Sequence, residues 1–410
     1  MRLAVFTSKY PARVATFFER DMRALLEAGI DIDVFPIYPL DPNMWQYGHD
    51  ILNERILPRK RIHHISLPRS LRTACQHPAG KLGTLMRDLV AISASAIRYG
   101  AGPLAKSIYV LPKALAWAEE HGDKYDHVLA YWGNYAATCA YAFHRLVKRP
   151  IPFSMWLHAG TDLYKTPVYL RQKLLYADTI ITCCRFNRTF MQEHFSDIFP
   201  KVSSKIDVCY HGLDLADFPY EPDDRPPRKV IAVGTFSKEK GFDYLIRAAR
   251  ELTRRGVDLE VELVGDGEEA GSLKRLAREI GITDRVRFKG WVHSSAVRTA
   301  MRDATILVHP SNGLGDGLPN VIREAMALGT PVIASNTAGI PEALDNGRCG
   351  ILVPPRDVTA LANAMETLLL NLDLRRAYAG PARKHVENKF DLWRNGANLA
   401  DHLRSLRRSA

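Results

Sequence analysis

The sequence predicts two doubly wound α/β domains, each on a mainly parallel sheet, and three observations lead there. Its 410 residues exceed a usual single domain of about 100–200 residues. Short apolar, strand-like runs alternate with helix-spaced segments from the first residues, and the alternation restarts after residue 229, as βαβ units require. Between the two series lies 219–228, Pro-Tyr-Glu-Pro-Asp-Asp-Arg-Pro-Pro-Arg, whose four prolines suit an extended linker. The expected division is a first domain over 1–215, a linker over 216–228 and a second domain over 229–387. Such sheets bind ligands beyond the carboxyl ends of their strands and at domain interfaces, so a cleft between the domains is the expected site.

In chain order, 2–7 reads as a buried strand, Ser8–Val14 as a loop, and 15–28 as a helix with Phe17, Phe18, Met22, Leu25 and Leu26 near 3.6 spacing. Gly29 ends that helix, and 30–36 is the next strand. The stretch 50–118 reads as mainly helical, followed by strands at 127–131, 151–157, 179–183 and 206–210. In the second series, strands are expected at 230–233, 259–264, 285–288, 305–309 and 331–334. Helices are expected at 240–255, 269–281, 320–328 and 358–370, with a helical tail over 385–410.

Composition is ordinary, 46% hydrophobic and 25% charged, so a sizeable core can form. Met1-Arg2 leads directly into Leu3-Ala4-Val5-Phe6, too short and poorly flanked for an export signal. No apolar run reaches the roughly 18–20 residues of a membrane helix. Cys75, Cys139, Cys183, Cys184, Cys209 and Cys349 are scattered without metal spacing, as reduced thiols of a cytoplasmic protein would be. The formal net charge is +11, and residues 51–118 hold eleven Lys/Arg against Glu54 and Asp88. Such a stretch meets an anionic membrane surface or a phosphorylated ligand, or is a solvated face. No nucleic-acid motif accompanies it.

Two segments of the second domain carry chemistry. In Asp316-Gly-Leu-Pro-Asn-Val-Ile-Arg-Glu324, Gly317 and Pro319 shape a turn and Asn320 opens a helix, whose free N–H groups favour an anion. Glu324 lies one turn in, where a carboxylate can accept from two ribose hydroxyls. The loop Val233-Gly-Thr-Phe-Ser-Lys-Glu-Lys240-Gly241 follows a strand; its glycines let backbone approach a ligand, and Lys240 is a point charge for phosphate. Asp31-Ile-Asp33 has the form of a metal-binding pair but falls inside a strand.

The two segments, in this order and about 80 residues apart, resemble the family 4 glycosyltransferases of the GT-B fold, as do Val264-Gly-Asp-Gly267, His309-Pro-Ser311, Ala338-Gly-Ile-Pro-Glu342 and Gly350-Ile-Leu-Val-Pro354. The family carries an acid, seven intervening residues and a Glu, matched by Asp316 and Glu324. The resemblance implies two facing Rossmann-like domains and retaining, metal-independent transfer of a hexose-type sugar from a UDP- or GDP-linked donor. No cofactor is implied, the nucleotide-sugar being a substrate. Lys240 would bind the donor diphosphate, Glu324 the ribose and Asp316 the sugar, with Gly317, Leu318, Asn320 and Val321 against phosphates or sugar. The family's loop arginine is Thr235 here, which removes a bidentate phosphate clamp. The tail 388–410 would pack back on the first domain.

Phe153-Ser-Met-Trp-Leu-His158-Ala-Gly-Thr-Asp162 resembles the first domain of the branch that builds exopolysaccharides. This implies that His158 contacts the donor sugar near the reacting carbon; Asp162 is either a helix cap or an orienting partner. Lys9 and Arg13, after the first strand, are expected on the acceptor side, where the acceptor is a saccharide or lipid-linked saccharide at the inner face of the cell membrane. A non-catalytic nucleotide-sugar-binding scaffold is the competing reading, kept open by Thr235; an epimerase or phosphorylase is a third.

Overall fold

A computed structural model describes the chain except for residues 13–15, 41–56, 77–79, 161, 223–224, 226–227 and 410. Arg13 therefore lies outside the described residues. The chain divides into two compact units, one of Met1–His211 with Trp393–Ala410, the other of Gly212–Leu392.

The first unit is built on strands β1 (Arg2–Thr7), β2 (Asp31–Pro36), β3 (His127–Ala130), β4 (Phe153–Leu157), β5 (Thr179–Thr182) and β6 (Ile206–Val208). They form one sheet in the order β2-β1-β3-β4-β5-β6, parallel throughout. Alternation along β1 sends Ala4 and Phe6 into one core and Leu3 and Val5 into another, so both faces are covered. The second core takes Phe18, Met22 and Leu25 from the helix Thr16–Glu27, together with Leu399, Ala400 and Leu403 from the terminal helix Leu392–Ser409. Gly396 lies where an added Cβ would come within 2.3 Å of Ala24, which fixes how closely the two helices approach.

From Leu67 on, the stretch 50–118 is mainly helical where it is described, with helices Leu67–Gln76 and Gly80–Ala96 and one reaching on to His121 (Ala101–His121), whereas 57–66 holds only a 3-10 turn, Arg59–Arg61, and a bridge from Ile62 to Val34. Its charge is partly spent internally. Lys113 is buried and donates to the carbonyl of Ile37 at 2.8 Å, and Arg61 pairs with Asp31 at 2.6 Å. The helix Tyr135–Leu146 went unread in the sequence because residues 136–143 are all buried, so it carries no amphipathic stripe. Asp33 lies in β2, and its carboxylate is taken by Arg2 at 2.9 Å and the Tyr125 hydroxyl at 2.8 Å.

The second unit has strands β7 (Lys229–Val233), β8 (Glu260–Val264), β9 (Val286–Gly290), β10 (Ile306–His309), β11 (Val332–Ser335) and β12 (Ile351–Val353). Their order is β12-β11-β10-β7-β8-β9, again all parallel. The helix Ser294–Arg302 buries only Met301, which is why periodicity did not disclose it. The helix Phe242–Arg254 buries Leu245, Ile246, Ala249 and Leu252 at helical spacing.

The described residues of the proline-rich stretch are tied into this unit. The Arg225 guanidinium donates to the carbonyls of Met301 at 3.2 Å, Ala304 at 3.0 Å and Leu328 at 2.8 Å, and to the Thr330 hydroxyl at 2.6 Å. Arg383 adds a bond to the Ala327 carbonyl at 2.8 Å. Two cations thus satisfy the last carbonyls of the helix Asn320–Ala327 and complement the negative end of its dipole.

Candidate functional site

In the second unit the strand order reverses between β7 and β10, so the loops after these neighbours diverge and leave a crevice at their carboxyl ends. The loop after β7 holds Thr235 and Lys240; the loop after β10 holds Asp316, Gly317 and Leu318 before Asn320 opens its helix. Glycines bring the loops together. Gly241, at φ +65, has an ideal Cβ position 2.1 Å from the Pro310 carbonyl oxygen, and Gly265, at φ +139, has one 1.9 Å from that of Gly234. The Glu239 carbonyl accepts from the Asn312 amide at 2.9 Å and the Ser311 hydroxyl at 3.0 Å, which fixes the turn carrying Lys240.

Lys240 and Asp316 meet directly, with Nζ 2.6 Å and 2.7 Å from the two carboxylate oxygens. His309 Nε2 lies 3.0 Å from Asp316 Oδ2. Burial opposes ionisation of Asp316, but the Lys240 charge and the His309 hydrogen bond outweigh it and hold the carboxyl well below the usual range. Burial pushes the His309 imidazole down, against the pull of Asp316. The triad therefore carries a compensated ion pair beside a neutral imidazole. His309 was quoted in the sequence only as part of a motif; its end-of-strand position was the available signal.

Asn320 and Val321 are half-buried at the start of their helix, whose first turn has no acidic residue, and Leu318 is buried. Arg323 is fully buried, bonds to the Asn320 side chain and lies 5.2 Å above the Phe390 ring. Glu324 lies one turn in, 9% exposed. Thr235 is exposed. Among the described residues, one group of potential metal ligands converges, Asp345, Cys349 and His385, with ligand atoms within 4.8 Å. Burial pushes the Cys349 thiol up to about 11, so it is protonated near neutrality.

In the first unit His158 follows β4 and is buried in an aromatic nest. Its ring centroid lies 4.4 Å from Trp132, 4.8 Å from Tyr131 and 4.9 Å from His211, stacked on the last at 6°. Among the described residues neither ring nitrogen of His158 makes a hydrogen bond, and Asp162 Oδ2 lies 3.5 Å from Nδ1. Asp162 lies in a turn, and its carboxylate accepts from the His158 amide at 3.4 Å. The His158 carbonyl accepts from Asn187 Nδ2 at 2.5 Å and Cys183 Sγ at 3.2 Å. His211 Nδ1 lies 2.6 Å from Asp21 Oδ2. Burial works against its protonation, but Asp21 prevails and raises it to about 9. His211, Asp21 and Asn187 escaped the sequence reading; a lone Asp on the buried face of an amphipathic helix was the legible hint. Lys9 is exposed in the loop after β1.

Residues 227–371 match the family model Glycosyl transferases group 1. The α-D-kanosaminyltransferase of Streptomyces kanamyceticus is 34% identical over 187 residues, 46% of this chain and 47% of that protein, so the chain spans about half the length of this curated relative. The amylovoran biosynthesis glycosyltransferase AmsK of Erwinia amylovora is 25% identical over 99% of this chain and 100% of its own length. The crystal structure of Anabaena HepE in complex with UDP-glucose aligns over 99% of this chain and 100% of that one, with a TM-score of 0.71 at 18% identity. The second unit is thus similar to the group 1 glycosyltransferases over residues 227–371, and the fold is GT-B.

Proposed function

We propose that this protein is a retaining glycosyltransferase that moves a hexose-type sugar from a UDP- or GDP-linked donor to a saccharide or lipid-linked saccharide in exopolysaccharide or cell-surface glycan synthesis. The observation that carries the reading is the Lys240–Asp316 pair at the carboxyl ends of β7 and β10, beside the helix that bears Glu324, inside the unit that matches the family. The donor diphosphate takes the helix start at Asn320 and competes with Asp316 for Lys240. The displaced Asp316 carboxylate, still held by His309, then accepts from sugar hydroxyls, while Glu324 accepts from the ribose. Gly317, Leu318 and Val321 shape the wall.

As the anomeric C–O bond breaks, Lys240 and the helix N–H groups stabilise charge on the departing diphosphate. The leaving phosphate takes the proton of the acceptor hydroxyl on the same face, so the reaction needs neither a protein base nor a metal. His158, oriented by Asp162, supports the positive charge that develops on the sugar ring through its backbone carbonyl. Lys9 meets the acceptor.

The acceptor is proposed to reside at the inner face of the cell membrane. Met86, Val90 and Ile97, 50%, 66% and 63% exposed, lie on helical segments with the exposed Arg87 and Arg98, a combination that suits an anionic lipid surface. Among the described residues no helix is long and apolar enough to cross a membrane. Vesicles containing anionic lipid should recruit the protein at low salt; failure to do so favours an acceptor free in solution.

Thermal-shift titration with UDP, GDP, ADP and their sugar conjugates tests the donor site. A stabilisation by one nucleotide family, lost in Lys240→Ala and Glu324→Ala, is the expected result; full retention of donor affinity and turnover in both variants overturns the assignment. Thr235, exposed where the family has arginine, favours a second reading, a nucleotide-sugar-binding scaffold. Nucleotide binding without product from any acceptor would select it.

A further inference from the structure

A second cavity lies in the first unit, away from the aromatic nest but joined to it by a chain of contacts. It measures about 470 Å3, within the roughly 300–1,000 Å3 of small-molecule sites. Its walls come from three places: Arg98 and Tyr99 just beyond the helix Gly80–Ala96, the segment from Leu163 to Gln172 after β4, and Phe190 with His194 on the helix Arg185–His194. The wall residue Leu163 directly follows Asp162. Tyr164, another wall residue, bonds through its hydroxyl to the Asn187 side chain, whose amide donates to the His158 carbonyl. The cavity thus reaches His158 through two side chains.

The lining has the chemistry of a sugar site. Tyr164 lies 4.7 Å from Phe190, which stacks on His194 at 3.9 Å and 9°, and Tyr99 offers a ring that is 42% exposed. Aromatic faces bind the C–H faces of a pyranose, and planar Arg and Gln side chains bind its equatorial hydroxyls. Arg98 and Gln172 are exposed at the cavity, and among the described residues Arg98 has no acid partner. Tyr169 is held at φ 54, with its amide bonded to Ser95 Oγ at 2.9 Å, so the wall is tied across to the Gly80–Ala96 helix.

We propose that this cavity is a saccharide subsite that holds a pyranose ring of the acceptor, one or more units from the sugar that reacts near His158. The proposal rests on the glycosyltransferase reading above and extends it by naming what the helical stretch before residue 100 recognises: sugar at the cavity, besides any lipid at its exposed apolar face.

The test uses the full chain and saturation-transfer NMR with cellobiose, maltose, lactose and gentiobiose as probes, with UDP or GDP titrated separately by thermal shift. At least one disaccharide should bind, and Arg98→Ala and Tyr99→Ala, both at exposed positions, should weaken it about tenfold while the nucleotide shift is unchanged. Binding of no disaccharide, or binding unaltered in both variants, overturns the subsite and leaves the donor assignment standing. A wild-type protein that no nucleotide stabilises removes the glycosyltransferase reading, and the subsite falls with it.

Discussion

Lys240 and Asp316 form a charge pair only about one-fifth exposed, with side-chain exposures of 20% and 18%. Such a pair is weak evidence for stability, because desolvation offsets much of its attraction, but it holds the Asp316 carboxyl ionised and aims both groups at one point. An anion arriving at Lys240 exchanges one partner for another and does not meet a bare cation. Under the proposed function, Thr235 is the position where that exchange would be tuned. Thr235→Arg supplies a guanidinium fork in an exposed loop, and the expected result is nucleotide-diphosphate binding tightened by about tenfold, read by calorimetry. Unchanged affinity would mean that the loop after β7 does not approach the phosphates. Gly241→Ala tests the same loop from the backbone. Its Cβ would lie 2.1 Å from the Pro310 oxygen at a φ of +65, so a loss of about 2–4 kcal/mol in chemical denaturation is expected, with weakened nucleotide binding.

At the scale of elements, the helix Asn320–Ala327 is short, and its own propensity cannot hold it. Its C-terminal carbonyls are fixed by Arg225 and Arg383, which leaves its N-terminus as the end without charge compensation in the first turn. Arg225→Ala strips donors from several carbonyls at once, so a destabilisation of about 3–5 kcal/mol is expected, seen as a large fall in Tm. A change below about 1 kcal/mol would show that water replaces the guanidinium at little cost. In the sequence the proline-rich stretch reads as an extended linker, because proline removes a donor and fixes φ. That its arginine turns inward to close two helix ends was not legible, since the acceptors there lie 76 to 105 residues away. The strands of both sheets could be read from short apolar runs except β12, which is only three residues long, and the helix Tyr135–Leu146 could not, being buried from 136 to 143 without a break.

For the molecule as a whole, buried histidines set the pH response. His127 is fully buried against Ser154, and burial lowers it to about 3. The unfolded chain takes up this proton below about pH 6.5 while the native chain refuses it, so stability falls as pH drops from 6.5 toward 3, by up to ~1.4 kcal/mol per unit. His127→Gln should flatten that acid limb in denaturation curves, and an unchanged slope would count against a neutral native His127. His211 has the opposite sign. Raised to about 9 by Asp21 against its burial, it contributes stability that is complete below about 6.5 and lost as pH rises through 9. Lys173, lowered to about 7 by burial, pulls the other way over the same window, so the test is the difference between wild type and His211→Asn. That difference should shrink from pH 6.5 to 9; a constant difference would mean that His211 is not protonated by its contact with Asp21.

The two α/β series, the spacing of Asp316 and Glu324, Lys240 in its glycine loop and the strand-end position of His158 can all be read along the chain. These depend on burial periodicity, glycine and proline, and short fixed spacings, all of which act within a few residues of chain. What those groups touch is set by the folding of distant segments together. Asp21 reaches His211 across 190 residues and Lys240 reaches Asp316 across 76. Such pairings follow from which strands become neighbours in each sheet, and hydrophobic periodicity shows that a residue is buried without showing against what.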